Sequence, residues 1–147
     1  MKALVVYDTV YGNTRQIAEA IAKGIGADTE IVRAGQVGQV DLSNIDLLVV
    51  GSPTLGGRAS EPMQTFIAGL SADSVRGKRF ATFDTRYSGR FVKLFGFAAI
   101  RLAESLVAKG GVQAAPPEAF IVTGKQGPLK EGELERAASW ARELTKV

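Results

Sequence analysis

The sequence contains neither cysteine nor histidine. Without cysteine there is no disulfide framework, no thiolate nucleophile and no iron–sulfur ligation. Without histidine as well, zinc sites and histidine-based acid–base chemistry are excluded. We therefore predict no metal site and assign no side chain a catalytic role, and we expect any chemistry to come from a bound cofactor.

Long hydrophobic runs are also missing. The longest pure stretches, such as residues 47–50, have the length of a strand, so we expect no membrane span. The amino terminus lacks the features of a signal peptide, which favours a cytoplasmic location. A length of 147 residues with 46% hydrophobic content predicts one globular domain, residues 1–147. A net charge of +3 is too small to indicate a nucleic-acid partner.

Apolar segments of strand length alternate with segments of helical periodicity along the whole chain. Strands are predicted at residues 2–7, 30–32, 46–51, 79–83 and 119–122. The interior stripes of the last two helices are predicted at Ile100, Ala103, Leu106 and Val107, and at Leu134, Ala137, Ala138, Ala141 and Leu144, with Trp140 packing nearby. Five alternating strands predict an α/β sandwich in which a parallel sheet carries helices on both faces.

The segment after the first strand is suited to binding a phosphate. The chain turns at Gly12 and a helix then opens, so backbone N–H groups and the positive end of the helix dipole face outward. Hydroxyls of Thr9 and Thr14 and the amide of Asn13 add neutral donors. The alternative is that Asn13 and Thr14 only cap the helix.

The pattern T/S-x-T-G-x-T is matched by Thr9, Gly12, Asn13 and Thr14, and on these residues the chain resembles the flavodoxin family over essentially its whole length. The resemblance implies the strand order 2-1-3-4-5 and flavin mononucleotide (FMN) as cofactor, an arrangement for which flavodoxin is itself the standard example. It assigns the phosphate to Thr9, Val10, Tyr11, Gly12, Asn13 and Thr14. Tyr11 departs from the family, which usually has threonine there.

The second flavin loop of the family is similar to the segment that contains Pro53, Thr54, Leu55, Gly56 and Gly57. The residue before the glycines, which covers one face of the flavin ring in the family, is here Leu55 and is not aromatic. Because glycine adopts positive φ at little cost, the Gly56–Gly57 peptide can reorient towards a protonated flavin nitrogen, as the family's does. An ordinary turn explains the two glycines equally well.

A third loop is predicted at residues 84–89, and it supplies Thr85, Arg86 and Tyr87 to the cofactor site. By the resemblance, Tyr87 would stack on the other face of the flavin ring. The alternative is that Tyr87 packs on the following helix.

Positive charge is concentrated in residues 76–109, where eight cations stand against two carboxylates, a balance of +6. Arg58, Arg86 and Arg90 would lie beside the flavin ring, where the family usually places carboxylates. Such a rim favours the anionic, fully reduced flavin and predicts a higher potential for the second reduction step than acidic flavodoxins have. It would also attract an acidic redox partner or a nicotinamide nucleotide, or be only a solvated basic face.

These observations favour an FMN-binding electron carrier that serves redox partner proteins over a turnover enzyme. One alternative is a small FMN-dependent oxidoreductase linked to NAD(P)H or protoporphyrinogen. Another is a flavin-free binding module of the same fold, which Tyr11 and Leu55 would suit.

Overall fold

A parallel β-sheet forms the centre of the computed structural model, which describes residues 1–36, 38, 40–87 and 97–146. Within these residues the strands are β1 (Ala3–Tyr7), β2 (Thr29–Arg33), β3 (Leu47–Pro53), β4 (Arg79–Tyr87), β5 (Val112–Gln113) and β6 (Glu118–Val122). Their order is β2-β1-β3-β4, with β5 and β6 both paired to β4 on its far side. The predicted α/β class and the order 2-1-3-4-5 are confirmed.

The fifth position in the sheet differs from the prediction, because two short strands share it. β5 pairs with the start of β4, at Arg79 and Phe80, while β6 pairs with its end, from Phe83 to Tyr87. Pro116 and Pro117 lie between the two strands and have no backbone N–H to donate to a ladder. The edge of the sheet is therefore interrupted where the sequence places two consecutive prolines.

Helices cover both faces of the sheet. Among the described residues they are α1 (Asn13–Ile25), α2 (Glu61–Gly69), α3 (Ala72–Val75), α4 (Ala98–Ala108) and α5 (Glu133–Leu144). Alternate residues of each strand enter opposite cores, as Leu4 and Val6 of β1 pack on the side of α2 and α4 while Val5 packs on the side of α1 and α5. Burial on both faces explains why β1 and β3 are continuous apolar runs.

Two of the predicted interior stripes need correction. Ile100 and Val107 of α4 are 45% and 50% exposed, whereas Leu102 and Leu106 are buried. The buried positions of α4 begin at Ala98, and two residues along a helix turn a side chain by about 200°, which carries Ile100 to the outer face. Leu134 of α5 is likewise exposed. None of the helices within the described residues combines the length and the apolar character needed to cross a bilayer.

An ion-pair network joins α5 to β6. The Glu133 carboxylate accepts a hydrogen bond from the Ile121 backbone N–H (2.8 Å) and two from Arg136 (2.9 and 2.8 Å). Arg136 also donates to Glu118 (3.0 Å), and its guanidinium lies 4.4 Å from the centre of the Phe120 ring. The hydrogen bonds from Arg136 hold the pKa of Glu133 below its usual range. This network fixes the last helix against the edge of the sheet.

The predicted packing role of Trp140 is confirmed. Its ring makes edge-to-face contacts with Phe83 and Phe120, at centroid distances of 6.3 and 5.9 Å. These three rings fill the core beneath the end of β4.

Candidate functional site

A cleft of about 240 Å³ opens at the carboxyl ends of β1, β3 and β4. It is lined by Thr9, Val10, Tyr11, Asn13, Thr14, Pro53, Thr54, Leu55, Gly56, Thr85, Tyr87, Val122 and Lys125. All the predicted site residues except Gly12, Gly57 and Arg86 are thus brought together around it. Val122 and Lys125 were not predicted, because they belong to β6 and to the segment after it, where no local motif marks a site.

The amino end of α1 is left open towards this cleft. Gly12 is the N-cap residue, with φ +95°, and as a glycine it has no side chain with which to cap the helix. The Gly12 N–H donates to Thr9 Oγ1 (2.8 Å), and the first helical bond runs from the Gln16 N–H to the Gly12 carbonyl (3.2 Å). The N–H groups of residues 13–15 therefore have no partner within the helix. The idea that Asn13 and Thr14 serve only as caps is wrong, since both lie inside the first turn of α1.

The two buried side chains of that turn connect the loop to β4 and to the segment after β6. Thr14 Oγ1 lies 2.7 Å from Thr85 Oγ1, so one of the two hydroxyls donates to the other and one hydrogen of the pair is left for a further acceptor. Asn13 Nδ2 donates to the Gln126 carbonyl (3.2 Å). Part of the expected donor capacity of Asn13 is therefore used to hold the segment after β6 against the loop.

Arg33, which was not predicted as part of the site, donates hydrogen bonds to the start of the same loop. Arg33, at the end of β2, donates to the Thr9 carbonyl (2.9 Å) and to Asp8 Oδ1 (3.2 Å). The parallel register of β1 and β2 pairs Tyr7 with Arg33, which places this side chain beside the start of the loop. The pairing of β1 with β2 was the signal that could have revealed it.

The second predicted loop is a tight hairpin, residues 55–58. Leu55 and Arg58 exchange backbone hydrogen bonds of 2.8 and 3.1 Å, and Gly56 and Gly57 have φ +56° and +81°. Positive φ at both central positions is typical of a type I′ turn and explains why two glycines stand there. Leu55 is 45% exposed and faces the cleft. The geometry agrees with an ordinary turn, and reorientation of the central peptide stays a prediction.

The hairpin is anchored through its neighbour Thr54. The Thr54 N–H donates to the Thr85 carbonyl (2.9 Å), and its Oγ1 accepts a hydrogen bond from the Ala98 N–H (3.1 Å). Thr54 therefore ties the hairpin both to β4 and to the first residue of α4.

The third predicted loop requires the main correction, because β4 continues to Tyr87. Residues 84–87 are strand, so successive side chains alternate between the faces of the sheet. Thr85 and Tyr87 face the cleft, whereas Asp84 and Arg86 face the side of α4. Arg86 is therefore directed away from the cleft in which it was expected. Ser88, Gly89 and Arg90 lie outside the described residues.

Arg86 is held in a buried cluster beneath α4. Its Nε and one terminal nitrogen each donate to the Asp84 carboxylate at 2.7 Å, and its guanidinium lies 3.3 Å from the centre of the Phe97 ring. Asp84 is fully buried and also accepts a hydrogen bond from the Ala99 N–H (2.9 Å). The charge of Arg86 is therefore matched by Asp84 and does not contribute to a positive rim.

Among the described residues that line the cleft, Lys125 is the only cation and none carries a carboxylate. Of the three arginines expected at the rim, Arg58 is exposed at the end of the hairpin, Arg86 is paired, and Arg90 is outside the described residues. The cleft therefore offers neutral donors at one end and a single lysine at its edge.

Comparison with known proteins shows the family to which this architecture belongs. The family model for flavodoxin matches residues 5–140. The chain is 32% identical over 122 residues to diflavin flavoprotein A 6 of Nostoc sp., a match that covers 66% of this chain and 20% of that protein. It is 31% identical over 128 residues to an NAD(P)H dehydrogenase (quinone) of Cupriavidus metallidurans, covering 67% and 64%.

Solved structures agree with these relatives. A flavodoxin from the domain Archaea superposes with a TM-score of 0.82 at 26% identity, covering 99% of this chain and 97% of that one. The chain spans only about a fifth of the length of the diflavin flavoprotein that it matches. Because the family model covers nearly the whole sequence, the chain belongs to the flavodoxin family, whose members bind FMN and transfer electrons.

Proposed function

We propose that this chain binds FMN without a covalent bond and carries electrons between redox partner proteins. One observation carries the proposal: the uncapped amino end of α1 opens into the same cleft that Leu55 and Tyr87 line with exposed side chains. A phosphate and an apolar ring joined in one molecule match those two ends.

The phosphate end of the cleft fits the cofactor by its donor set. The N–H groups of residues 13–15 and the hydroxyl hydrogen left over from Thr14 and Thr85 are neutral donors next to a helix dipole. With Thr9 and Gly12 shaping the loop, these groups would hold the phosphate. A dianion bound in this way needs no arginine or lysine in direct contact.

The other end of the cleft fits a flat apolar ring. Leu55 is 45% and Tyr87 49% exposed, and Val10 and Tyr11 of the first loop, which line the same cleft, are exposed as well. Exposed apolar side chains in one cleft are typical of a ligand site. Leu55 and Tyr87 would cover the ring and keep water from it, and the Gly56–Gly57 peptide would accept a hydrogen bond at the ring edge. The bound flavin supplies the redox chemistry.

Quenching of flavin fluorescence on titration of the apoprotein tests the proposal. FMN should bind tightly and riboflavin, which lacks the phosphate, much more weakly. Thr14→Val should weaken FMN binding about tenfold or more, because it removes a hydrogen bond to a charged group, with little effect on riboflavin. The matched control Thr65→Val changes an exposed threonine of α2 and should bind both flavins as the wild type does.

Two results would contradict the proposal. Equal affinity for FMN and riboflavin would show that the end of α1 does not bind the phosphate. Absence of binding by a folded protein would favour the flavin-free binding module.

A second candidate is a small FMN-dependent oxidoreductase that uses a nicotinamide nucleotide. Lys125 at the edge of the cleft supplies a cation for a nucleotide phosphate, and the similarity to an NAD(P)H dehydrogenase (quinone) supports this candidate. Steady consumption of NADH or NADPH with a quinone acceptor, or of protoporphyrinogen with oxygen, would favour the enzyme. A carrier would show neither activity while still exchanging electrons with a reduced partner protein.

A further inference from the structure

A second cleft, of about 350 Å³, lies between α2 and α4. It is lined by Arg58, Ala59, Gln64, Ile67, Ala68, Arg101, Leu102, Ser105 and Lys109, and we call it the basic groove. Among the described residues, it has no lining residue in common with the cofactor cleft.

The basic groove combines a positive rim with an apolar floor. Arg58, Arg101 and Lys109 line it, and no carboxylate does so among the described residues. Ile67 and Leu102 are buried at its base. A surface of this kind is complementary to a segment that carries carboxylates along one edge and apolar side chains beside them.

The spacing of the cations favours an extended anionic partner over a small anion. Arg101 and Lys109 are eight residues apart on or just beyond α4, which corresponds to about 12 Å along a helix axis. Arg58 lies on a different element, at the end of the hairpin. A row of carboxylates along a protein segment can follow positions spread over this length, whereas a single phosphate or carboxylate would need all three side chains to converge on it.

The hairpin of residues 55–58 connects the basic groove to the cofactor cleft. Leu55 lines the cofactor cleft and Arg58 lines the basic groove, and the two residues are joined by a pair of backbone hydrogen bonds. A protein bound along the groove would therefore lie beside the edge of the flavin site, where electrons must leave.

We propose that the basic groove binds an acidic segment of the redox partner protein and aligns that partner with the flavin. This inference rests on the proposed electron-carrier function and adds the chemistry of the partner to it.

The test uses a synthetic helical peptide of about 15 residues that carries a red fluorophore. It has glutamates at positions i, i+4 and i+8, which span about 12 Å, and leucines on the adjoining face. A second peptide has glutamine in place of each glutamate. Fluorescence anisotropy reports their binding to the apoprotein and to the FMN-loaded protein, at low salt and at about 200 mM salt.

The decisive variant is Arg101→Gln with Lys109→Gln, which removes two positive charges from the basic groove. Glutamine keeps an amide donor for the Leu70 carbonyl, to which Lys109 donates at 2.7 Å. The matched control is Lys23→Gln with Arg142→Gln, which changes the net charge equally on α1 and α5, at the opposite face of the sheet. Both pairs should leave FMN binding unchanged.

We expect the glutamate peptide to bind the groove variant about 5- to 10-fold more weakly than the wild type and the control less than about twofold more weakly. Binding should fall with salt, and the glutamine peptide should bind poorly. Equal weakening by groove variant and control, or equal binding of the two peptides, would overturn the proposal. So would displacement of the peptide by micromolar pyrophosphate, since that would indicate a small-anion site. Failure of the wild type to bind FMN would refute the carrier function separately, because peptide binding is measured on the apoprotein too.

Discussion

Replacing Gly127 with alanine should disturb the phosphate loop, although the two are far apart in sequence, because this glycine packs against Asn13. Gly127 has φ +104°, and a Cβ at this position would lie 2.7 Å from both Nδ2 and Oδ1 of Asn13. Alanine there would strain the backbone by about 1–3 kcal/mol. Displacing Asn13 would also break its hydrogen bond to the Gln126 carbonyl, which contributes about 1 kcal/mol. The expected loss of stability is therefore about 2–4 kcal/mol.

Thermal unfolding of the apoprotein measures this loss. For a chain of 147 residues the unfolding entropy is about 0.3 kcal/mol/K, so a loss of about 3 kcal/mol lowers Tm by about 10 °C. The control is Gly124→Ala, whose Cβ would come no closer than 3.4 Å to another residue, at the Gly127 carbonyl oxygen. The control should change Tm by no more than about 3 °C.

Flavin binding then shows whether the damage reaches the site. Gly127→Ala should weaken FMN binding about tenfold while changing riboflavin binding little, since Asn13 stands at the phosphate end of the cleft. A Gly127→Ala protein with the Tm of the Gly124→Ala control, or with unchanged preference for FMN, would refute the reasoning.

Three further changes test the ion pairs and the charge at the cleft. Because Arg136 depresses the folded-state pKa of Glu133, the pair stabilises the fold above the usual glutamate pKa and loses that effect as pH falls through the depressed value. Glu133→Gln should therefore lower the free energy of unfolding by about 2 kcal/mol at pH 7. In urea unfolding, the midpoint of the variant should also fall less steeply than that of the wild type as the pH is lowered below the usual glutamate pKa. An unchanged dependence on pH would contradict this. Asp84→Asn should lower Tm by about 10–15 °C, because Arg86 would keep its charge without a partner while only 16% of its side chain is exposed. A decrease in Tm of less than about 3 °C would show that the ion pair is not needed for stability. Lys125→Gln should move the second one-electron potential of the bound flavin more negative by tens of mV in a reductive titration, and a shift in the other direction would count against a role for this cation.

The sheet and the position of the cleft were predictable from the sequence, because they depend on local patterns. Continuous apolar runs such as residues 47–50 indicate strands buried on both faces, and polar, glycine-containing segments follow them at one edge. The turn at Gly12 before a helix was readable for the same reason. Parallel connections then bring these segments together whatever the details of the loops.

The orientation of Arg86 was not predictable, because it depends on how far β4 continues. Asp84, Thr85 and Arg86 have the composition of a loop, yet β6 remains paired to β4 at all three positions and β3 at the first two. A strand turns alternate side chains to opposite faces, so reading the segment as a loop put Thr85 and Arg86 on the same side. The pairing partners, which are distant in sequence, decide the outcome.

Contacts between distant segments account for the other residues that were missed. Asn13 and Gln126 are 113 positions apart, and Lys125 reaches the cleft only because the segment after β6 packs on the phosphate loop. No periodicity or motif within either segment indicates this contact. It depends on the place of β6 at the edge of the sheet, which is itself set by the pairing with β4.

The distribution of charge separates the cofactor's binding from the partner's. Near the loops, the buried carboxylates of Asp8 and Asp84 are paired with Arg33 and Arg86. These arginines therefore stabilise the carboxyl ends of the strands without adding free charge to the cleft. Neutral donors remain for the phosphate, while Arg101 and other cations lie in the basic groove. Changing the groove should therefore alter association with a partner and leave flavin affinity intact, whereas changing the loop should do the reverse.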